Sequence, residues 1–481
     1  MSHEALLALC LAIPAAGAAL VAACHRWPNL REAVSLASAA ALFFVVLSLS
    51  DDVLQGARPA LRLGEMLPGL ALALELEPLG LLFALIASGL WFVSGVYSIG
   101  YMRGNGEPHQ TRFFVCFALA IASAIGVALA GNLLTLYLFY EALTLVTYPL
   151  VTHHGDEQAR RGGRTYLALL LLSSMLFLLP AIAITWWIGG TLDFTPGGIL
   201  GGKVSGAAAA GLLALYAFGI GKAALMPIHR WLPAAMVAPT PVSALLHAVA
   251  VVKAGVFSIV KVVVYVFGLD FGAEAFAWLP WVAGFTIVAA SIVALRADNL
   301  KRRLAYSTVS QLSYVVLAAA ILTPLSLVGA VLHIAAHAFG KITLFFAAGA
   351  VYTAAHKTEV SQLDGLGRRM PWTFAAFGIG ALSMIGLPPA AGFVSKWYIV
   401  SGALAAQHWV ALAVIVASTL LNAGYFLPIV YRAFFVEGKN DGHAHGEAPW
   451  TMVAALVTTA ALTILMFFWA DLPLALARRL L

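Results

Sequence analysis

Long apolar runs recur from one end of the chain to the other, separated by short polar segments. Most of them reach roughly 18 residues, the length that an α-helix needs to cross a bilayer. Because the apolar residues are continuous and do not alternate with polar ones, they predict helices and not the strands of a membrane barrel. The pattern predicts about fourteen spans, at roughly 4–24, 33–50, 78–100, 112–130, 132–152, 165–187, 207–228, 241–267, 278–295, 303–322, 326–353, 373–401, 409–431 and 450–470.

The composition agrees with this pattern. Apolar residues make up 62% of the 481 positions and charged residues only 10%, with a mean hydropathy of +0.94. A water-soluble domain of this length needs more charge to solvate its surface. None of the predicted loops is long enough to bury a core of its own. We therefore expect an all-α polytopic membrane protein with no soluble domain, and an uncleaved first helix, because no basic residue precedes it.

The basic residues are distributed unevenly between the two sides of the predicted bundle. With the N-terminus outside, five of the 27 basic residues fall in outer loops, five lie within spans and the other seventeen fall in inner loops. The outer five are Arg58, Arg62, Lys203, Arg478 and Arg479. This bias follows the positive-inside rule and predicts that both termini are outside. The loop charges are scattered over many short connections, so nucleic-acid binding is not expected.

The sequence predicts no cofactor and no metal. Three isolated cysteines, Cys10, Cys24 and Cys116, indicate neither a disulfide framework nor a zinc site. His443 and His445 form an HxH pair in an inner loop, but without a third ligand nearby a solvated turn is the better interpretation. No phosphate-binding loop or nucleophile elbow is present. Any redox chemistry would therefore belong to a partner, and whether the chain is part of an enzyme stays open.

Six charged residues lie inside predicted spans, where an ionisable group costs several kcal/mol unless it is paired, hydrated or neutralised. They are Glu141, Lys222, Lys253, Lys261, Lys341 and Lys396. Glu141 is central in its span, where it either forms a salt bridge or sets the charge of a neighbouring lysine. Lys261 lies near the outer end of its span, and we expect it to snorkel to the interface. The deeper lysines are candidates for a proton path.

Histidines accompany two of these lysines. His333, His337 and Lys341 recur every four residues and form one stripe about 12 Å long at 1.5 Å rise per residue. Histidine titrates near neutrality, which suits a proton relay. His247 precedes Lys253 by six residues, so at about 100° per residue the two point to different sides, yet both could contact successive waters. A metal at the histidine pair lacks a carboxylate or cysteine partner.

Two spans carry prolines beside a lysine. Pro227 and Pro233 follow Lys222 in the seventh span, and two consecutive prolines precede Lys396 in the twelfth. Proline removes a helix hydrogen bond and clashes with the preceding turn, so both helices should be interrupted near mid-membrane. Ordinary kinking is the alternative. Interrupted helices at matching places in two halves are typical of inverted-repeat transporters and their ion sites.

Taken together, these residues resemble the proton-translocating antiporter-like subunits. That family comprises subunits of Mrp-type Na⁺/H⁺ antiporters, membrane-arm subunits of respiratory complex I and membrane-bound hydrogenase relatives. The resemblance covers almost the whole chain and is strongest over residues 221–255. It is carried by the segments FYEALTLVTYPLV, GKAALMPIHRWLPAAMVAPTPVSALLHAVAVVKAG, LKRRLAYSTVSQLSYV, HIAAHAFGKITLFFAAG and GLPPAAGFVSKWYI.

The resemblance implies fourteen helices with two inverted five-helix repeats, helices 4–8 and 9–13, and broken helices 7 and 12. The chain then divides into 1–110 (helices 1–3), 111–267 (first repeat), 268–435 (second repeat) and 436–481 (helix 14). It further implies that Glu141 pairs with Lys222 and that Lys396 is the outlet. The predicted proton path comprises Glu141, Lys222, His247, Lys253, His333, His337, Lys341 and Lys396.

The function implied is that of a proton-translocating subunit of a multisubunit monovalent cation/proton antiporter, nearest to the D-type subunit of Mrp antiporters. The alternative is an antiporter-like subunit of a redox-driven complex of the hydrogenase or complex I type. A purely structural scaffold would not explain the buried charges. The resemblance implies other membrane subunits as partners, protons with Na⁺ or K⁺ as transported ions, and a bacterial inner membrane as the location. The coupled ion and the identity of the complex stay open.

Overall fold

The computed structural model describes residues 1–67, 69–438 and 446–481. The predicted HxH pair, His443 and His445, lies outside the described residues. Most of the described chain is helical. The elements are α1 His3–Ala23, α2 Pro28–Ser48, α3 Ser50–Leu54, β1 Ala60–Leu67, β2 Leu70–Glu75, α4 Pro78–Gly104, α5 Gln110–Ala128, α6 Leu133–Val151, α7 Glu157–Ser173, α8 Leu179–Gly189, α9 Gly206–Gly219, α10 Trp231–Ala234, α11 Thr240–Ala244, α12 Val251–Lys261, α13 Ala273–Phe276, α14 Leu279–Arg296, α15 Leu300–Ala320, α16 Pro324–Ala355, α17 Leu366–Arg369, α18 Pro371–Ile385, α19 Ala391–Ala405, α20 Trp409–Phe435, α21 Trp450–Phe468 and α22 Asp471–Arg478.

The helices confirm a polytopic helical membrane protein. Within the described residues, eleven continuous helical segments are long and apolar enough to cross a membrane. The other three predicted spans fall on α9 with the turns after it, on α15, and on α18 with α19. These three contain either an interruption or many polar residues, which is why length and hydropathy alone do not select them. The total of fourteen spans and the inverted repeats remain predictions.

Two helical segments form the centre of the bundle. The apolar window of Thr240–Phe267 is 100% buried and that of α16 is 94% buried, whereas only a third of the window is buried in α1. A helix that is apolar all round and also enclosed by protein belongs to the interior of a large bundle. These two central segments, away from lipid, carry five of the predicted path residues: His247, Lys253, His333, His337 and Lys341.

The seventh span is interrupted as predicted, but at a different place. Helix α9 ends at Gly219, before Lys222 and not at the prolines after it. The chain then continues through short 3₁₀ turns, and Ala224 adopts a left-handed conformation with φ of 56°. Pro227 and Pro233 lie within this irregular segment. The lysine therefore sits in the first turn of the interruption, where the regular helical ladder has already stopped.

The twelfth span is interrupted between α18 and α19. Helix α18 ends at Ile385, and Gly386 follows with a φ of 91°, a conformation that glycine tolerates best. The two prolines lie in the connection, and α19 begins at Ala391, ahead of Lys396. Because a helix end leaves its last carbonyls without intrahelical donors, this break exposes backbone acceptors deep inside the bundle.

The eighth span is not a uniform α-helix. A π-helical turn, Leu245–Val249, separates α11 from α12, and a second one, Val262–Phe267, follows α12. His247 lies within the first π turn. The projection at 100° per residue therefore does not hold between His247 and Lys253. Turns of this kind are frequent at functional sites because they alter the register of one helix face.

The first long loop, predicted to be outer, contains the only strands among the described residues. Strands β1 and β2 form an antiparallel hairpin in which Ala60 faces Glu75. An isolated bridge between Leu74 and Ala130 joins the hairpin to the connection between α5 and α6. The hairpin therefore rests on the ends of the membrane helices, a contact that the sequence did not predict.

Candidate functional site

Lys222 is fully buried and is held by helix α6. Its Nζ donates to the backbone oxygen of Tyr140 and to Oγ1 of Thr144, both at 2.6 Å. The same ammonium lies 3.2 Å from the centre of the Tyr140 ring. The Tyr140 hydroxyl accepts a bond from the backbone N–H of Lys222 at 3.0 Å. A buried ammonium thus finds two oxygen acceptors and an aromatic face, which offset part of the cost of its desolvation.

Glu141 is adjacent in sequence to this site, but it does not form an ion pair with Lys222 in the described conformation. Both carboxylate oxygens of Glu141 are shielded from solvent and have no hydrogen-bond partner among the described residues. The two side chains are nevertheless close enough to interact electrostatically. An orphaned buried carboxylate is costly, so this side chain has a reason to change partner or conformation. The direct pairing remains a prediction.

Lys253 and His337 are in direct contact across the two central segments. Lys253 Nζ lies 2.5 Å from Nδ1 of His337, and both side chains are buried. The other ring nitrogen of His337, Nε2, has no hydrogen-bond partner among the described residues. A lysine and a histidine at this distance can share a proton, with one nitrogen donating and the other accepting. The stripe of His333, His337 and Lys341 on α16 therefore contacts the eighth span through one titratable pair, that of Lys253 and His337.

His333 continues the stripe toward the second interruption. Its ring centre is 6.3 Å from that of His337. Nδ1 contacts the Ser395 hydroxyl at 2.9 Å, and Nε2 contacts the amide oxygen of Gln311 at 3.0 Å. Both ring nitrogens therefore have a partner. The histidine lies between α15 and α19, so it links the stripe to the helix that carries Lys396.

Lys396 is bound by the carbonyls that the second interruption exposes. Its Nζ donates to the backbone oxygens of Met384 and Ile385 at 3.0 and 2.9 Å. The Met384 oxygen also accepts from the side-chain amides of Gln311 at 3.2 Å and Asn422 at 3.3 Å. The lysine is 6% exposed and lies 4.8 Å from the centre of the Tyr314 ring. One carbonyl thus connects Lys396 with Gln311 and, through it, with His333.

Lys341 reaches the same carbonyl by another route. Its Nζ donates to Oγ of Ser307 at 2.8 Å, and the Tyr425 hydroxyl donates to that Ser307 oxygen at 3.1 Å. Tyr425 also bonds the side-chain oxygen of Asn422, whose amide donates to the Met384 carbonyl. All of these side chains are buried. Two polar chains therefore converge on the second interruption, one from His333 and one from Lys341.

His247 has no polar contact among the described residues. Both ring nitrogens are buried without a hydrogen-bond partner, and the ring packs against Phe345 with 4.7 Å between centres. The structure therefore places this predicted path residue inside the bundle but not in contact with the other predicted ones. A water could supply its missing partners, because buried water commonly satisfies such groups.

Lys261 does not snorkel, and that prediction is wrong. The side chain is 1% exposed, lies 3.6 Å from the carboxylate of Glu77 and donates to the Ala130 carbonyl at 2.6 Å. The ring centre of Phe194, from the loop after α8, lies 4.3 Å from the ammonium. The loop and the hairpin cover the end of the span, so the lysine has no route to water and pairs with an acid instead.

Sequence reasoning missed several polar partners of the site. Ser307, Gln311 and Tyr314 all lie on α15 and contact the predicted path residues. Their spacing of four and three residues puts them on one helix face, and this regularity is the signal that could have identified them. Glu77 was missed because it lies at the edge of its span, directly before the first residue of α4. Thr144 lies one helical turn after Tyr140, so the same spacing of four residues could have identified it as a partner of Lys222.

A titratable cluster lies outside the spans, on the side predicted to be inner. His154 Nε2 is 3.2 Å from the Glu107 carboxylate, and this bond raises the pKa of His154 above its ordinary value. The neighbouring His153 is buried, and desolvation lowers its pKa to about 4 despite the attraction of Glu107. Glu107 and His154 line a cleft of about 390 Å³ together with Lys301. No group of three or more potential metal ligands occurs among the described residues.

Comparison with known proteins identifies the family. Residues 130–422 match the family model described as NADH:quinone oxidoreductase/Mrp antiporter, TM. Residues 69–114 match the model described as NADH-Ubiquinone oxidoreductase (complex I), chain 5 N-terminus. The first match covers more than half of the chain and includes all eight predicted path residues.

Individual relatives agree with this match. The chain is 33% identical to the N subunit of the NADH-quinone oxidoreductase of Desulforudis audaxviator, over 88% of this chain and 84% of that protein. It is 26% identical to the D subunit of the Na(+)/H(+) antiporter of Alkalihalophilus pseudofirmus, over 92% and 90% of the two chains. It is 33% identical to the L subunit of the NADH-quinone oxidoreductase of Mycobacterium tuberculosis over 80% of its own length, but it spans only 61% of that longer protein.

A solved structure shows the same fold. A chain of the Mrp complex from Dietzia sp. DQ12-45-1b superposes with a TM-score of 0.90 and 22% sequence identity, covering 100% of this chain and 97% of that chain. At this identity the likeness establishes the architecture and leaves the chemistry to the residues. The sequence matches carry the family assignment: the chain belongs to the NADH:quinone oxidoreductase/Mrp antiporter family of membrane subunits.

Proposed function

We propose that this chain is a proton-translocating subunit of a multisubunit monovalent cation/proton antiporter. The observation that carries the proposal is the row of buried lysines and histidines that extends from α12, which packs against the turn holding Lys222, to the second interrupted helix. Lys253 contacts His337, His333 follows on the same helix, and Gln311 connects His333 to the carbonyl that binds Lys396. Ionisable groups at membrane depth are costly and mark ion paths. The Na(+)/H(+) antiporter subunit among the relatives supports this class of transport.

Each end of the row has a distinct role in this proposal. Lys222 is the inner acceptor, which takes a proton from the inner side and passes it toward Lys253. Lys396 is the outer donor, because its ammonium is held by carbonyl oxygens at the far interruption. The direction is set by whichever gradient the assembly couples. His247 joins the row through water, since its own nitrogens lack protein partners among the described residues.

Glu141 controls Lys222 in this scheme. In the described conformation the ammonium bonds Tyr140 and Thr144, while the Glu141 carboxylate is unpartnered. A rotation of either side chain would exchange a hydroxyl partner for a carboxylate. Because an opposite charge favours the charged amine, pairing would hold the proton and separation would release it. The exchange would couple an electrostatic change in a partner subunit to proton transfer.

The proposal extends to location, topology and partners. The chain would lie in a bacterial inner membrane with both termini outside, as the excess of basic residues in the inner loops supports. Segments 111–267 and 268–435 would form the two inverted repeats, flanked by 1–110 and 436–481. Other membrane subunits would complete the assembly and supply the Na⁺ or K⁺ site. The fold shared with a chain of the Mrp complex supports this arrangement.

The test uses the complete assembly in inverted membrane vesicles. We expect Lys222→Ala and Glu141→Ala each to abolish cation-dependent dissipation of a pH gradient, measured by a fluorescent pH-gradient probe, while the amount of assembled complex is unchanged. Lys203→Ala is the matched control, because this exposed lysine donates only to the carbonyl of Gly189 at the end of α8. Normal proton transport by both Lys222→Ala and Glu141→Ala would refute the proposal.

A redox-driven complex is the second candidate, and it is favoured by the 33% identity to a NADH-quinone oxidoreductase subunit. In that case the same row of residues would move protons, but the driving reaction would occur in a partner. The subunits that co-purify with the chain decide between the two. A cysteine-rich hydrophilic partner would indicate the redox complex, and a set of small membrane proteins would indicate the antiporter.

A further inference from the structure

Glu77 and Lys261 form a buried ion pair that the proposed path does not use. Their side chains are 3% and 1% exposed, and the charged atoms are 3.6 Å apart. Lys261 also donates to the Ala130 carbonyl at 2.6 Å. A pair this deeply buried would be costly if either partner were left alone. The pair is complete, and it joins the end of α12 to the start of α4 and to the connection between α5 and α6.

Glu77 has further bonds that fix its position. Its carboxylate accepts from the backbone N–H groups of Leu79 at 2.8 Å and Gly80 at 2.9 Å, and so caps the N-terminus of α4. The Tyr265 hydroxyl donates to the same carboxylate at 3.1 Å. Every oxygen of this acid is therefore engaged. The carboxylate is a rigid anchor, and Lys261 is held against it.

The pair continues to the surface through the hairpin. Glu75, at the end of β2, pairs with Arg58 at 3.3 Å, and their side chains are 26% and 35% exposed. The Arg58 guanidinium lies 5.7 Å from the centre of the Tyr265 ring. Exposure rises from Lys261 and Glu77 in the interior to Glu75 and Arg58 near the surface. These two ion pairs cover the end of the eighth span.

An aromatic layer separates this network from the proton path. Phe257 lies between Lys253 and Lys261 along α12, and its ring centre is 5.4 Å from the Lys261 ammonium. The Phe83 ring packs against Phe257 with 5.2 Å between centres. Among the described residues, no hydrogen-bond chain connects Lys253 with Lys261. A fixed positive charge behind an apolar layer is an arrangement that repels protons and cations.

We infer that the Glu77–Lys261 pair is the outer seal of the first half of the chain. The inference rests on the proposed function, since a seal matters only if protons reach Lys222 and Lys253. Lys261 presents a positive charge to any proton that arrives from outside, and Glu77 holds that charge in place. Protons that enter the first half can then leave only along the histidine stripe and Lys396. The pair is a positioning and barrier element and does not itself carry protons.

The second predicted repeat has a more exposed ion pair near the end of its last long helix, with side chains 36% and 26% exposed. Helix α20 runs to Phe435, and Arg432 near its end bonds the Asp364 carboxylate at 2.7 and 3.0 Å. This pair lies on the side predicted to be inner, where the second half would have to be closed. In each predicted repeat, a basic residue in the last turn of the final long helix is therefore paired with an acid. Only the pair in the first repeat is fully buried, so the sealing inference is confined to Glu77 and Lys261.

The experiment measures passive proton leak in vesicles that contain the complete assembly. A pH gradient is imposed without the coupling cation, and its decay is followed for Glu77→Gln, Lys261→Met and the double variant. We expect the decay rate to rise about tenfold in Lys261→Met, because the barrier charge is lost and a buried carboxylate is left unpaired. Arg62→Gln is the control: it removes an exposed charge on the same hairpin and should leave the leak unchanged.

The double variant distinguishes a seal from a purely structural pair. It carries no uncompensated buried charge, so it should assemble even if the single variants do not. If the pair is a seal, the pH gradient should decay as fast in the double variant as in Lys261→Met. If the pair is only structural, the gradient should decay as slowly in the double variant as in wild type. A tight double variant, or a tight and assembled Lys261→Met, overturns the inference. Cation-driven proton exchange is measured in the same vesicles and tests the proposed function separately from the leak. Lys222→Ala is the reference, because it should abolish this exchange.

Discussion

Replacing Gln311 by leucine should interrupt the connection between the histidine stripe and Lys396 without removing a titratable group. Gln311 is fully buried on α15 and has two bonds, one with His333 Nε2 at 3.0 Å and one to the Met384 carbonyl at 3.2 Å. Leucine has a similar volume and retains the packing, but it removes both bonds. Met384 still accepts from Lys396 and Asn422. In Gln311→Leu, Nε2 of His333 is therefore the one polar atom among the described residues that loses its only hydrogen-bond partner.

The size of the effect follows from that single orphaned group. Leaving one buried polar group unsatisfied costs about 1–3 kcal/mol. If the state of His333 that passes the proton carries this cost, proton transport falls by a factor of about 5 to 150. Folding should tolerate the same cost, because it is small beside the contacts of a bundle in which α15 is buried along most of its length. We therefore expect assembled complex with roughly tenfold lower transport.

The assay is cation-driven proton exchange in inverted vesicles, normalised to the amount of assembled subunit. Ser313→Ala is the matched control on the same helix. Ser313 is equally buried, but its hydroxyl bonds only the Val309 carbonyl one turn earlier, so its loss should leave transport unchanged. Wild-type transport by Gln311→Leu at equal assembly would refute the role of Gln311, and equal losses in both variants would indicate a general defect of α15.

Two further predictions follow from the contacts of Lys253 and Glu107. Lys253→Met and Lys253→Arg should both abolish transport. Methionine removes the titratable group, and arginine keeps the charge beside His337 but cannot release its proton. Proton transport by the arginine variant would contradict this prediction. Glu107→Gln should lower the thermal stability of the assembly at acid pH. Glu107 raises the pKa of His154, so its contribution is fully present below the ordinary value of 6.5 and is lost as pH rises through the raised pKa. Unfolding temperatures of both proteins should therefore differ at about pH 5 and converge toward about pH 8, and a constant difference would exclude this linkage.

The sequence was sufficient to predict the burial of the four deeper lysines, because hydropathy reports on membrane depth. Lys222, Lys253, Lys341 and Lys396 are at most 6% exposed, and both predicted interruptions occur. The sequence was not sufficient to predict their partners. Lys253 and His337 are 84 residues apart, and Lys222 and Thr144 are 78 apart. Contacts of this kind depend on how helices are rotated against one another, which local periodicity does not specify.

The errors share a physical origin. Lys261 was expected to snorkel because a span end normally borders water, but here the hairpin and Phe194 cover it. The seventh span was expected to break at its prolines, whereas α9 stops at Gly219, before Lys222. In each case tertiary contacts override a local rule. A proline shows only that a helix is weak nearby, and packing decides where the regular ladder ends.

The second interruption explains how Lys396 is held without an acid. Lys396 has no carboxylate partner among the described residues, yet its ammonium bonds two backbone carbonyls that α18 exposes at its end. An ammonium has three donors and no acceptor, so exposed carbonyls satisfy its hydrogen bonds without adding a negative charge that would retain the proton. The first interruption differs, because Lys222 has Glu141 within electrostatic reach. In the proposed mechanism the acid gives Lys222 a group that responds to a partner subunit, whereas Lys396 needs only to bind and release a proton. The break supplies Lys396 with acceptors of fixed geometry, so the two ends of the proposed path hold their lysines by different means.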